Sequence, residues 1–267
     1  MDTTRLGGKH VLITGAAQGM GAAVGKHYAA QGAKVCLGDI NVEGVAQVAK
    51  EIRADGGEAT HVKLDVTDQQ DARDAVAHTV EAFGSINVLL NNARINKPLF
   101  FADITRENYE RINDVNAWGK LNVMQAVVAQ MVAQGQQEQP YKIINVGSIL
   151  SRDAFDDVIV YSMSQHAVLG LIKGSAKALI EHNITVNGYA PGVVRTEMWE
   201  QLDRDLVEIG KFSTPGESMD SIAENMILMK RYSYPEDIVG TASFLASPES
   251  DYMTGQLIMI DGGMVLH

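Results

Sequence analysis

The stretch HVLITGAAQGMGAAV, His10 to Val24, decides the fold. Val11, Leu12 and Ile13 form a continuous apolar run, as in a strand buried on both faces. Thr14-Gly15-Ala16-Ala17-Gln18-Gly19-Met20-Gly21 follows directly. Beyond it, Ala22, Val24, His27, Tyr28 and Ala29 recur at helical spacing. Strand, glycine-rich turn and helix in that order make a phosphate-binding element. Glycines permit a tight turn and close backbone approach, and the helix N-terminus offers N–H groups and the positive end of its dipole. Gly15, Gln18, Gly19, Met20 and Gly21 are the candidate contacts for a pyrophosphate. The spacing is G-x-x-x-G-x-G rather than G-x-G-x-x-G, so the flanking strand and helix carry the reading.

The same unit repeats outward along the chain. Further short apolar runs lie at Ala33–Asp39, Thr60–Val66, Ile86–Asn92, Tyr141–Ser148, Ile184–Gly192 and Gln256–Gly263. Helix-length segments separate them, with Val42, Val45, Ala46, Val48 and Ile52 on one and Ala72, Ala75, Val76, Thr79, Val80 and Phe83 on another. Thr105 and Pro235 read as helix starts. Strands alternating with helices predict an α/β fold: a single-domain, Rossmann-type, doubly wound parallel sheet with flanking helices over residues 1–267. No linker or repeat divides the chain. A helical insertion at about residues 197–230 interrupts the rhythm before the last unit. In open α/β sheets ligands bind beyond the carboxyl ends of the strands, so this insertion is a candidate substrate lid, with plain packing or subunit contact as the alternative.

Composition narrows the functions. The chain has 267 residues, 46% hydrophobic and 21% charged, with a net charge of −11. That balance is ordinary for a globular protein. Its sign argues against a general nucleic-acid grip and against docking on anionic lipid. No apolar run approaches a membrane span, and MDTTRLGGKH at the N-terminus lacks the apolar stretch of a secretory signal. The single cysteine, Cys36, has no internal partner, so the expected location is cytoplasmic. Seven histidines without ligand spacing and one cysteine give no metal site.

Asp39 ends the second strand, about 20 residues past the glycine turn, where a carboxylate accepts hydrogen bonds from an adenosine ribose diol and repels a 2′-phosphate. Gly38, Ile40 and Asn41 bring no cation to reverse that preference. The expected cofactor is therefore NAD rather than NADP. A helix N-cap at Asp39 or Asn41 is compatible with this. Asp65 and Val66, at the end of the third run, are candidate adenine contacts, and Asp65 reads equally well as a turn residue.

Taken together, these features resemble the short-chain dehydrogenase/reductase family over essentially the whole chain. Asn91-Asn92-Ala93 is similar to its NNAG segment, Asn116 to its helix asparagine, and Pro191-Gly192-Val193-Val194-Arg195-Thr196 to its nicotinamide-contact segment. Ser148 precedes Tyr161 by thirteen residues, the family's serine-to-tyrosine spacing. The C-terminal third, including Met198-Trp199 and Asp261-Gly262-Gly263-Met264-Val265, is closest to the diacetyl/acetoin reductase (2,3-butanediol dehydrogenase) and polyol dehydrogenase branch. The resemblance implies a seven-stranded sheet, a homotetramer and a small alcohol or ketone substrate. It implies cofactor contacts at Asn92, Pro191, Gly192, Val194 and Thr196, added to those above.

The implied reaction interconverts a secondary alcohol, vicinal diol or polyol and its ketone by hydride transfer. Tyr161 is then the acid/base, Ser148 the hydrogen-bonding partner of the substrate oxygen, and Asn116 the anchor of a proton-relaying water. Two residues depart from the pattern. Gln165 stands where the family has lysine, one turn after Tyr161. Glutamine keeps a ribose hydrogen bond but loses the charge that favours tyrosinate, and two pKa units lost would cost about 2.7 kcal/mol, or roughly a hundredfold in rate. Arg94 stands where the family has glycine after Asn91-Asn92-Ala93. It either restores that charge or points to solvent or into the substrate mouth. Arg94, Ile149, Phe155 and Trp199 are the expected substrate-lining residues, and Ile149 and Phe155 replace polar positions of the butanediol branch. The alternative to a dehydrogenase is an NAD-binding protein with impaired catalysis, on the strength of Gln165.

Overall fold

A computed structural model describes residues 5–266. The first four residues of the N-terminal stretch considered for a secretory signal, and His267, lie outside the described residues. Seven parallel strands form one sheet: β1 (His10–Thr14), β2 (Lys34–Asp39), β3 (Glu58–Lys63), β4 (Val88–Asn91), β5 (Tyr141–Val146), β6 (Ile184–Pro191) and β7 (Leu257–Ile260). Their order is β3-β2-β1-β4-β5-β6-β7. Chain direction across the sheet reverses between β1 and β4, which opens a crevice beyond their carboxyl ends.

Alternation along each strand divides the core into two layers. Val11 and Ile13 of β1, Val35 and Leu37 of β2, and Val88 and Leu90 of β4 face one cluster. Leu12, Cys36 and Leu89 face the other. The first layer is closed by α1 (Gly19–Ala30), α2 (Val42–Ala54) and, near the C-terminus, Pro235–Ala246; the second by α3 (Gln69–Phe83) and by Gly119–Ala133 and Ile159–Leu179. Both faces of the central strands are thereby dry, which is why their sequences are apolar throughout. β3 is an edge strand and is only half-buried. It starts at Glu58, two residues before the predicted run, and stops at Lys63, so Asp65 lies beyond its end.

Local signals set the helix starts. Asn41 caps α2 by accepting from Gly44 N, and Asp68 caps α3 by accepting from Gln70 N and Asp71 N. Thr105 caps α4 (Arg106–Asn113), after which one wide turn at Asp114–Trp118 leads into α5 (Gly119–Ala133). α6 (Ile159–Leu179) follows β5. The insertion forms α7 (Glu197–Glu208) and α8 (Glu217–Asn225), and α9 (Pro235–Ala246) has proline in its first turn. Among the described residues no helix is long and apolar enough to cross a membrane, and no group of three or more His, Cys, Asp or Glu is placed to hold a metal ion.

Candidate active site

The glycine turn sits at the β1 end of the crevice. Gly15 has φ +65° and Gly19 φ +54°. A Cβ on Gly15 would lie 2.7 Å from Ala93 Cα, and one on Gly21 would lie 2.1 Å from Gly15 O. Only glycine lets the turn fold back on the first helical residues and the β4 loop. No side chain caps α1 and its first turn carries no acid, so its leading N–H groups remain available to an anion. Gly15, Gln18, Gly19 and Met20 line a groove of about 300 Å³ that also takes in Asp39, Asn92, Arg94 and Thr196.

Asp39 Oδ2 accepts from Ala17 N (3.1 Å) and Oδ1 from Asn41 N (2.9 Å). Two of about four acceptor positions are thus used, and the carboxylate ties the β2 end to the glycine turn. Asn41 is the α2 cap, so Asp39 is left facing the groove. Asp65 and Val66 do not line this groove. Asp65 Oδ1 accepts from Thr67 N and Thr67 Oγ1, a turn arrangement, and Val66 is packed against Gly119.

The β4 loop is held from below. Thr14 Oγ1 accepts from Asn92 N and Ala93 N, and Asn92 Nδ2 donates to Gly15 O (2.8 Å). The sequence reading missed Lys120. Its ammonium is fully buried and donates to Asn91 O (2.8 Å) and Ala93 O (3.2 Å). Burial, reinforced by the nearby Arg94 charge, pushes its pKa well below the usual lysine value. The available signal was a lone charge in the α5 sequence GKLNVMQAVVAQMVA. Arg94 lines both the groove and the neighbouring cavity, its Nε is buried, and its charge also acts on the buried Tyr189 hydroxyl. It lies along the wall between groove and cavity.

The second cavity, about 290 Å³, contains Ser148, Tyr161, Pro191, Gly192, Val194 and Thr196. Arg94, Ile149, Phe155 and Trp199 line it too. It meets the groove at Arg94, Thr196 and Met198, which belong to both. Tyr161 stands in the first turn of α6. Ser148 Oγ accepts from Leu150 N (3.2 Å), which leaves its hydrogen free to donate elsewhere. Asn116 occupies the wide turn before α5, a distortion frequent at functional sites. Its Oδ1 accepts from Ile95 N (2.8 Å), and its Nδ2 donates to Ile95 O (2.9 Å) and Ser164 Oγ (3.0 Å). The side chain expected to anchor a water is thus engaged by protein, clamping the residue after Arg94. Gln165 is fully buried, its Nε2 3.4 Å from Ser164 Oγ and its Oε1 without a partner among the described residues.

Asn92 Oδ1, Arg94 Nε and Gln165 Oε1 are buried polar atoms lacking partners among the described residues. Such atoms are costly unless a ligand satisfies them. With the uncapped helix end and the glycine cradle, Asn92 and Arg94, which line the groove, fit a dinucleotide lying from Asp39 towards Tyr161; Gln165 lines neither groove nor cavity.

Comparison with known proteins defines the class. The family described as enoyl-(acyl carrier protein) reductase matches residues 15–265. The chain belongs to the short-chain dehydrogenase/reductase family of oxidoreductases, whose members typically bind a nicotinamide cofactor. It is 39% identical over 259 residues to a sorbitol dehydrogenase of Cereibacter sphaeroides, covering 97% of this chain and 98% of that one. It is 34% identical over 257 residues to a diacetyl reductase [(S)-acetoin forming] of Staphylococcus epidermidis, with 96% and 98% covered. A short-chain type dehydrogenase/reductase from Mycobacterium marinum superposes with a TM-score of 0.89 at 33% identity, with 100% and 99% covered.

Proposed function

We propose that the chain is an NAD-dependent oxidoreductase interconverting a secondary alcohol and its ketone, with Tyr161 as acid/base. The observation that carries this is the shared wall at Arg94, Thr196 and Met198, where the cavity holding Ser148 and Tyr161 adjoins the glycine-turn groove. A nicotinamide dinucleotide, held by the glycine turn, Asp39 and the Pro191–Thr196 segment, would supply or accept one hydride, and so two electrons, at the substrate carbon. Ser148 donates its free hydrogen to the carbonyl oxygen and fixes its position. Tyr161 Oη delivers the proton that turns the C–O⁻ into C–OH, and takes it back in the oxidative direction. Asn116 and Ser164 hold the frame: Ser164 Oγ donates to Tyr161 O (2.7 Å) and accepts from Asn116 Nδ2. Gln165, one turn beyond Tyr161 and buried behind the cavity wall, is retained as a ribose contact on family resemblance alone. Asp39, with its unused acceptor positions, supports NAD over NADP.

The insertion is read as the substrate lid. Lys97 Nζ bonds Asp205 (2.9 Å) and Glu208 (3.3 Å) of α7, and Lys211 Nζ bonds Asp156 (3.0 Å), so the lid is tied to the loops on either side of the cavity. The relatives' activities point to hydroxyketones, vicinal diols and polyols as the first panel. Homotetramer assembly and a cytoplasmic location complete the reading, on family resemblance and composition.

The test is NADH absorbance with that panel, for the wild type and Tyr161→Phe. Turnover abolished in the variant with NADH binding retained supports the proposal; equal turnover in the two refutes it. NADH binding with no turnover between pH 7 and 10 supports the second reading, a cofactor-binding protein with impaired catalysis. That reading draws on Gln165, which places a neutral amide on α6 where an ammonium would promote tyrosinate.

A further inference from the structure

We propose that Arg94 is the anion anchor of the cavity, and that the substrate is a hydroxy acid, or the matching keto acid, whose carboxylate it holds. The inference rests on the catalytic reading above and gives its secondary alcohol a second, charged group.

Four charged side chains line the cavity: Arg94, Asp156, Asp157 and Lys211. Three of them answer one another. Lys211 Nζ lies 3.0 Å from Asp156 and 3.7 Å from Asp157. Asp156 is largely in solvent, and burial raises the Asp157 carboxyl above its usual pKa. Arg94 alone has no opposite charge within ion-pair distance among the described residues. Of its guanidinium nitrogens only Nε is buried without a partner, so the two terminal nitrogens keep surface to offer a ligand. Asn96, two residues on, lines the same cavity, and its buried Oδ1 has no partner among the described residues. Its amide nitrogen is a further donor.

The electrostatics favour an anion here. Lys120 lies close enough beneath the same loop for the Arg94 charge to act on it, so two cations share the region. The phosphates of a dinucleotide already have a receiver in the glycine cradle and the uncapped N-terminus of α1. That leaves the cavity side of Arg94 to the substrate. Two parallel N–H groups match the two oxygens of a carboxylate. The other walls include Ile149, Phe155, Leu202, Leu206 and Phe212, which suit a short hydrocarbon remainder in about 290 Å³. The family's glycine at position 94 supplies no such donor, so the preference belongs to this chain. In the oxidative direction the carbinol carbon passes a hydride to oxidised nicotinamide dinucleotide, and the hydroxyl passes its proton to Tyr161. The keto acid is left, and no bond of the carboxylate changes.

The turnover probes are 3-hydroxyhexanoate and its methyl ester, one skeleton with and without the charge. The binding probes are hexanoate and hexanamide, titrated into the protein by calorimetry with NADH present and without it. Hexanoate should bind at least about tenfold more tightly than hexanamide, and kcat/KM for the acid should exceed that for the ester by about ten- to a hundredfold, the weight of a charge-assisted hydrogen bond. Arg94→Met should bring both ratios to about one, and Arg94→Lys should restore part of them. A ratio measured within one protein cancels changes in folding, in cofactor binding or at Tyr161. Equal kcat/KM for acid and ester in the wild type overturns the inference. So does a ratio that survives Arg94→Met, including the case in which that variant weakens NADH binding because the guanidinium serves the cofactor's phosphates. Hexanoate binding that depends on Arg94, without turnover of either hydroxy compound, upholds the anchor and removes the catalytic reading instead.

Discussion

Replacing Asp39 by Asn tests the nucleotide preference. The carboxylate has one oxygen on Ala17 N and the other on Asn41 N, with about two acceptor positions left for a ribose diol. Asparagine keeps one acceptor oxygen and loses the charge. One charge-assisted hydrogen bond is worth about 1.5–3 kcal/mol, so NADH binding weakens by roughly 10- to 140-fold. The same charge opposes a 2′-phosphate. Two unit charges about 4 Å apart repel by about 1 kcal/mol in water and about 4 kcal/mol at a protein surface, so NADPH binding tightens by at least about fivefold. The ratio of the two affinities should shift towards NADPH by about fiftyfold or more. Titration calorimetry with both dinucleotides at one fixed ionic strength measures it. A thermal melt of the variant checks that the Ala17 contact still holds the turn. Parallel weakening for both dinucleotides refutes the ribose assignment, because it means that Asp39 only shapes the turn.

Gly21→Ala should weaken NADH binding and lower stability by about 1–3 kcal/mol, since the new Cβ would fall 2.1 Å from Gly15 O; NADH titration and urea denaturation measure both effects. Lys120→Met removes two bonds to the β4 loop, and its stability relative to wild type should depend on pH. Because burial lowers the folded-state pKa of Lys120 below the unfolded value, the unfolded chain holds more protons in the interval between them. Wild-type stability, measured against Lys120→Met by urea melts, should therefore rise as pH increases through that interval towards 10.5. Gln165→Lys should move the alkaline-favoured pH–rate profile to lower pH and raise turnover near neutrality, by up to about a hundredfold if two pKa units are recovered. Arg94→Ala should move the same profile the opposite way; an unmoved profile shows that Arg94 does not assist Tyr161.

The frame was legible because the buried strands announce themselves. Val11-Leu12-Ile13 and Val88-Leu89-Leu90 are apolar without alternation, which only a strand covered on both faces requires. The edge strand was less so: Glu58–Lys63 is polar and half-buried, and its end was placed too late; Asp65, left open between an adenine contact and a turn residue, forms the turn with Thr67. Within the candidate site, family resemblance pointed to Ser148 and Tyr161, which line one cavity, and the strand–turn–helix pattern pointed to the glycine turn, because each sits on a local element. Asn116's clamp on Ile95 and Lys120's grip on Asn91 and Ala93 were not legible. They join residues 21 to 29 positions apart, across a strand end and two helices, and nothing in the intervening sequence records the pairing. Whether a charge such as Arg94 turns inward is likewise decided by packing around it, not by its neighbours in the chain.

These long-range clamps change what the loss of a lysine at position 165 means. In this chain Arg94, after β4, lies on the wall between groove and cavity, Lys120 of α5 is buried beneath it, and α6 carries the neutral Gln165. The two cations are not equivalent. Lys120 is occupied by two carbonyl oxygens and is driven towards its neutral form by burial, so its contribution is to hold Asn91–Ala93 in place. Arg94 reaches the wall between groove and cavity. Whether its field reaches the Tyr161 oxygen is what the Arg94→Ala profile measures. A field from further away than an adjacent ammonium stabilises tyrosinate less, since the interaction falls with distance and with the solvent between. The chain should accordingly work best at a higher pH than its Gln165→Lys variant. The Asn116–Ile95 clamp should matter more than its distance from the reacting atoms suggests, because it fixes the residue next to Arg94 on the wall between groove and cavity.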